Sequence, residues 1–218
     1  MHDALVWQLV DSAFPTGAFA HSLGLESAWQ HGEIASRGDL RRFVEATILQ
    51  AASAALPLVN AAHREPARLA EWDALNDAFL ANAVANRASR LQGRTLLAGA
   101  ARIWPSPELA ALQTQAHALC AHAAPITGVV CRVLGIPLDT TQRAVLFIAA
   151  RGVLSAAVRL GVTGSYDAQR LQSECAGFSG AVLARYRDAG SADLAQTAPI
   201  IDILQGAHDR LYSRLFQS

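Results

Sequence analysis

The chain has 218 residues, no net formal charge, a pI of about 7.1, and 52% hydrophobic against 17% charged residues. That length suits one large domain or two small ones, with ample apolar material for a core. A neutral chain without a basic stripe lacks the electrostatic footprint of a nucleic-acid binder. All 18 basic residues are Arg, which excludes a Walker-type phosphate loop and a Schiff-base lysine.

Ala and Leu dominate and favour helix, while runs of alternating β-branched and aromatic residues are nearly absent. The expected fold is all-α, one globular domain of about eight to ten helices. Cys120, Cys131 and Cys175 are too few and too scattered for a disulfide framework. Asp3 and Gln8 interrupt the apolar start, so no signal-peptide pattern opens the chain. Without a run of about 18 strongly apolar residues no membrane span is expected, and a cytoplasmic location follows as the default.

Leu5 to Val10 reads as a short amphipathic segment stopped by Pro15-Thr16-Gly17. Pro15 fixes its own φ and pushes Phe14 into an extended conformation. Phe19, Leu23, Leu25, Ala28 and Trp29 then fall at roughly helical spacing, with Glu26 inside the pattern and Gly32 just past its end. Asp39 is a candidate cap for a helix from Leu40 to about Ala62, which Pro57 should kink or break. Pro66 fits the first turn of a helix whose apolar face carries Leu69, Trp72, Leu75 and Phe79. Asn82, Asn86 and Ser89 interrupt before a helix through Leu91 to Ile103, which Trp104-Pro105 ends. Ser106 caps the next helix, with Pro107 first and Glu108 in its opening turn.

Pro125 opens a helix to about Leu134, ended by Gly135-Ile136-Pro137. Asp139, with Gln142 three residues on as in a capping box, begins the longest apolar helix, to Leu160. A helix from about Asp167 to Arg187 has soft points at Gly177 and Gly180. Ala189-Gly190-Ser191 turns, and Pro199 begins a last helix that runs almost to the end. On it Ile201, Leu204, His208, Leu211 and Leu215 step by 3, 4, 3 and 4, a narrow pairing seam. Chain ends fray unless tied down, so this one either packs on its own core or awaits a partner. Nothing else in the sequence obviously pairs with it, and it is expected to be mobile in the free protein.

Few constellations promise chemistry. His21, Ser22 and Glu26 include catalytic residue types, but adjacent helical residues do not share a face, and nucleophile and base must converge. His117 and Cys120 lie three apart on one helix face with His122 turned away. Soft and imidazole ligands suit nickel or zinc, but a free Cys is usually a small buried hydrophobe, and no metal site is assigned. Arg143, Phe147 and Arg151 form a stripe at four-residue spacing. It reads equally as a contact face and as arginines reaching water over packed stems.

Phe14-Pro15-Thr16-Gly17-Ala18-Phe19, then His21-Ser22 and Gly24-Leu25-Glu26, resemble the N-terminal signature of the urease accessory protein UreF family, Pro-x-Gly-Gly-Phe-x-x-Ser-x-Gly-Leu-Glu. Ala18 replaces the second glycine, and Ala tolerates left-handed angles poorly, so the turn is expected to differ there. Arg159-Leu160-Gly161, with Gly164 and Gln169, resembles a second family stretch. Tyr212 to Ser218 resembles the closing Ser-Arg-Leu-Phe-x-Ser.

The resemblance implies a non-enzymatic chaperone or adaptor without a cofactor. It would form homodimers, bind UreD (also called UreH), recruit the GTPase UreG, and so help deliver nickel to apo-urease. The missing Lys agrees, since nucleotide chemistry then belongs to UreG. Leu211, Tyr212, Arg214, Leu215 and Phe216 are the expected UreD contacts, and Arg143, Phe147 and Arg151 the expected UreG-facing stripe. The alternative is a helical adaptor with a different client. A helical enzyme for a small apolar ligand would instead need polar groups converging on a pocket.

Overall fold

The structure, a computed structural model, describes residues 2–217. Ser218, which closes the family-like ending, lies outside the described residues. These residues form eleven α-helices and no strand. They are α1 (His2–Val10), α2 (Leu25–Gln30), α3 (Arg37–Arg64), α4 (Leu69–Phe79), α5 (Ala83–Ile103) and α6 (Pro107–Ala116). There follow α7 (Ala123–Val133), α8 (Leu138–Arg159), α9 (Ser165–Glu174), α10 (Ala176–Tyr186) and α11 (Pro199–Ala207).

The all-α expectation holds, with one helix more than its upper bound. The extra helix arises where the stretch expected from Asp167 to Arg187 splits at Cys175. Gly177 and Gly180 are ordinary α10 positions; Cys175, 1% exposed, makes the corner. That corner lets Leu171 of α9 and Leu183 of α10 face one core.

Two apolar cores share α3. Leu40, Val44, Ile48 and Leu56 pack with α2, α8, α9 and α10, while Leu58 and Ala62 pack with residues of α4 to α7. Between these halves Ala51–Ala55 forms a π-turn, so the expected break at Pro57 does not occur. Such a turn inserts a residue and rotates the face that follows. Pro57 has no N–H to give Ser53 O. Ala195 N–H donates to that oxygen instead, at 3.1 Å, and Gln50 Oε1 takes the N–H of Thr197 and of Ala198. The link into α11 is thereby fixed to α3.

Several expected helix starts move by a few residues. Ser36, not Asp39, caps α3: its Oγ accepts Asp39 N–H at 3.2 Å and donates to Asp39 Oδ2 at 2.7 Å. Asn82 caps α5, whose Asn86 and Ser89 lie inside the helix because their side chains find partners across the fold. Helix α8 starts after Pro137, and Gln142 does not close a capping box. Its Nε2 donates to Asn60 Oδ1 and Arg187 O, both at 2.7 Å, a tie to α3 and the end of α10.

Two helices, Arg37–Arg64 and Leu138–Arg159, are long and apolar enough by length and composition to cross a membrane, contrary to the expectation that none would be. Their apolar stretches are 61% and 44% buried inside the fold, where they are the central core helices.

Candidate interaction surface

The three stretches that carry the family resemblance meet in one place. The first does not form the continuous helix from Phe19 to Trp29 that its spacing suggests. A 3-10 turn, Ala18–Ala20, is followed by two left-handed residues, Leu23 (φ 55°) and Gly24 (φ 85°), before α2 starts. A Cβ on Gly24 would stand 3.1 Å from Gln205 N and 3.3 Å from Ile201 O. The glycine therefore serves both the turn and the close passage of α11.

This turn delivers Glu26, only 2% exposed, beneath the end of the chain. Its carboxylate accepts from His208 Nε2 at 3.0 Å, Leu215 N–H at 2.6 Å and Phe216 N–H at 3.2 Å. A buried carboxylate needs such donors, and these lie 182 to 190 residues along the chain. Gln217 N–H adds a bond to Ala20 O at 2.8 Å, and Gln30 Nε2 one to Ser213 O at 2.9 Å.

The tail expected to find no partner in its own chain is thus tied to the N-terminal signature. It is also not helical: α11 stops at Ala207, a 3-10 turn covers His208–Arg210, and Leu211 is extended. The seam from Ile201 to Leu215 does not exist as one face, because the backbone donors of the tail turn toward Glu26 instead of up a helix. Phe216 is 6% exposed and belongs to the core, so it anchors the tail and is not a free contact. Leu211 is half-buried, and Arg214 stands at 3.5 Å from Asp209. Tyr212 and Leu215 point outward, as do Ile200 and Ile203 of α11.

The second stretch supplies Arg159. Its guanidinium lies 3.8 Å from the Phe19 ring centre and 4.2 Å from that of Phe216, and it donates to Phe19 O. One cation over two rings joins signature, α8 and tail. Arg151 lines the small cleft beside these three side chains, and burial pulls its guanidinium below the usual arginine range. The expected stripe therefore divides: Arg143, bonded to Asp139 at 2.8 Å, and Phe147 face outward, whereas Arg151 faces the signature.

His21 and Ser22 are buried just before the left-handed turn, and Glu26 is committed to the tail. Burial, then the neighbouring His208, push the His21 imidazole below its ordinary pKa. A hollow of about 330 Å³ lies between the cores, lined mostly by apolar side chains such as Leu23, Val59 and Ile148. Among the described residues that line it there is no carboxylate, and His21 is the one titratable side chain.

The His/Cys cluster is also rearranged. Helix α6 ends at Ala116, so His117 and Cys120 do not share a helix face. Cys120 and His122 stand instead with Asp77 of α4. His122 Nε2 donates to Asp77 Oδ1 at 3.0 Å, and Asn86 Nδ2 reaches the same oxygen at 2.9 Å. Donation from Asn86, then from His122, holds the Asp77 carboxyl below its ordinary range. Asp77 sits one helical turn beyond Asp73, a placement no sequence spacing announces.

A family model for UreF matches residues 34–176. A urease accessory protein F of Arabidopsis thaliana is 39% identical over 219 residues, covering 97% of this chain and 91% of that protein. One of Oryza sativa subsp. japonica is 38% identical over 218 residues, covering 96% and 83%. A urease accessory protein UreF of Arthrobacter sp. (strain FB24) is 33% identical over 213 residues, covering 97% and 95%. With the match spanning well over half the chain and the relatives nearly all of it, the chain belongs to the UreF family of urease accessory proteins.

Proposed function

We propose that this urease maturation protein is a non-enzymatic adaptor, acting in the cytoplasm as a homodimer. It joins UreD (UreH) to the GTPase UreG so that nickel reaches apo-urease as cargo. The carrying observation is the tail: Phe216 and two backbone bonds to Glu26 hold it, while Tyr212 and Leu215 stay uncovered. A fixed backbone lowers the ordering cost of binding, and exposed apolar side chains on it suit a protein partner. UreD takes this tail, and UreG takes the side of α8 that bears Arg143 and Phe147.

The test is capture of UreD by the double variant Tyr212→Ala, Leu215→Asp, whose altered side chains are both exposed and should leave the fold unchanged. Each apolar side chain buried in a complex is worth roughly 1.5–3 kcal/mol, and about 1.4 kcal/mol is tenfold in affinity. A loss of at least tenfold is expected; full binding by the folded variant would remove the tail from the interface. Arg143→Ala with Phe147→Asp should weaken UreG recruitment and spare UreD. Gel filtration should give the mass of two chains, and a clean monomer at micromolar concentration would count against the dimer.

A further inference from the structure

Asp77, Cys120 and His122 offer one carboxylate oxygen, one sulfur and one ring nitrogen, all within 4.8 Å of one another. We propose that these three residues form a binding site for one thiophilic first-row divalent cation of the zinc type, with its fourth position open. Thiolate, imidazole and carboxylate are the ordinary ligands of such an ion. Three protein ligands with an open position is the pattern of sites that exchange or activate what they bind, not of closed structural sites.

The surroundings are built to hold these atoms. Asp73, 2% exposed, accepts the N–H of Cys120 at 2.8 Å, of Ala121 at 3.1 Å and of His122 at 2.7 Å. One carboxylate thus fixes the backbone of both loop ligands. Ala121 between them is left-handed (φ 61°), a conformation that persists only where the surroundings enforce it. Helix α5 presses on the same loop: a Cβ on Gly93 would fall 2.1 Å from Ala121 O. No side chain fits there, so the loop is held from both sides.

His122 also has its partner for the metal-bound tautomer. Binding through Nε2 requires that nitrogen to give up its proton and Nδ1 to carry one. Ser89 Oγ lies 3.1 Å from Nδ1 and already accepts Ala123 N–H at 3.2 Å; a hydroxyl oxygen has two lone pairs for these two donors. The cation replaces the bond from His122 to Asp77 and releases the thiol proton of Cys120 to water. His122 is fully buried and Asp77 43% exposed in its side chain, so the open position faces solvent on the Asp77 side.

The test uses the full-length, metal-free protein and cobalt(II) as a spectroscopic probe, followed by displacement with zinc. One equivalent should produce a thiolate-to-cobalt charge-transfer absorption that zinc abolishes. Cys120→Ser keeps Cys131 and Cys175 and should lose that absorption. Asp77→Asn should weaken cobalt binding by about tenfold or more. Absence of a thiolate band in the wild type at stoichiometric cobalt, or its survival in folded Cys120→Ser, would overturn the site. Zinc protection of Cys120 from alkylation, mapped by peptide mass in the wild-type chain, tests the same site without any variant. Protection supports the site, and equal labelling with and without zinc excludes it. Neither readout involves UreD, UreG or urease, so the outcome stands apart from the adaptor reading.

Discussion

Two buried carboxylates use the same chemistry in two places. Glu26 gathers His208, Leu215 and Phe216; Asp73 gathers Cys120, Ala121 and His122. Each satisfies donors that would otherwise be buried without acceptors, and each is satisfied by them. What differs is the chain they hold. The Glu26 partners lie on the non-helical segment that follows α11, held by these bonds and by Phe216 and not clamped between helices. The Asp73 partners lie between α6 and α7, with α5 against them, so they move only if the second core opens. The same kind of hydrogen bonding is thus expected to make a releasable latch in one place and a fixed mount in the other.

Asp73→Ala should therefore do the greater damage. Three backbone N–H groups lose their acceptor in a region that cannot rearrange, at roughly 1–3 kcal/mol for each orphaned group before relaxation. A total near 3–5 kcal/mol corresponds to a Tm lower by about 10 °C in a chain of this size. Thermal unfolding followed by helical circular dichroism measures it. A loss within one or two degrees would show that the loop finds other acceptors and is no fixed mount.

Glu26→Gln should cost less and act locally. The amide keeps the size but removes the charge and turns one acceptor into a donor facing other donors. Bonds to a charged group are worth roughly 1.5–3 kcal/mol each, yet the segment they hold is not clamped between helices, so the loss should stay local to the latch. Amide exchange at Leu215 and Phe216 should quicken many-fold while the α3 and α8 amides stay protected. UreD capture should fall in parallel. Uniformly faster exchange throughout the chain would make the tail part of the main cooperative unit and erase the contrast with Asp73.

Much of this was legible in the sequence, for physical reasons. Ser106-Pro107-Glu108 marks a helix start because cap, fixed φ and first-turn acid agree locally. The elements that depart from expectation are those where distant groups overrule local pattern. Gln142 looks like a capping-box residue but spends its amide on Asn60 and Arg187, and Asn86 and Ser89 look like breakers but reach Asp77 and His122. The seam ending in Leu215 obeys helical spacing, yet the tail follows Glu26, nearly 190 residues away. The Asp77–Cys120–His122 cluster was half visible: Cys120 and His122 stand out as ligand types, while Asp77 joins them only through packing of α4.

The smallest effect expected is on pH dependence, and it separates the two halves again. His21 lies beside the latch and His63 in α3, where its Nε2 donates to Ile136 O at 2.8 Å. Both have pKa values below the ordinary 6.5, chiefly through burial, although the bond to Ile136 O opposes the shift at His63. A histidine whose folded pKa is depressed is neutral in the folded state and binds a proton more readily once unfolded. Its contribution is fully present above about pH 6.5 and is lost as pH falls from there toward the folded value. The carboxylates with lowered values, Asp39, Asp77, Asp139, Glu174 and Asp209, lose their contribution only at lower pH, below about 4. Thermal unfolding between about pH 7.5 and 5 should thus show a shallow decline of a few degrees in Tm, beginning near pH 6.5. His63→Gln should flatten the global decline, whereas His21→Gln should mainly abolish an acid-induced quickening of exchange at Leu215 and Phe216. Equal effects of both variants on both readouts would mean that the latch does not open independently of the core.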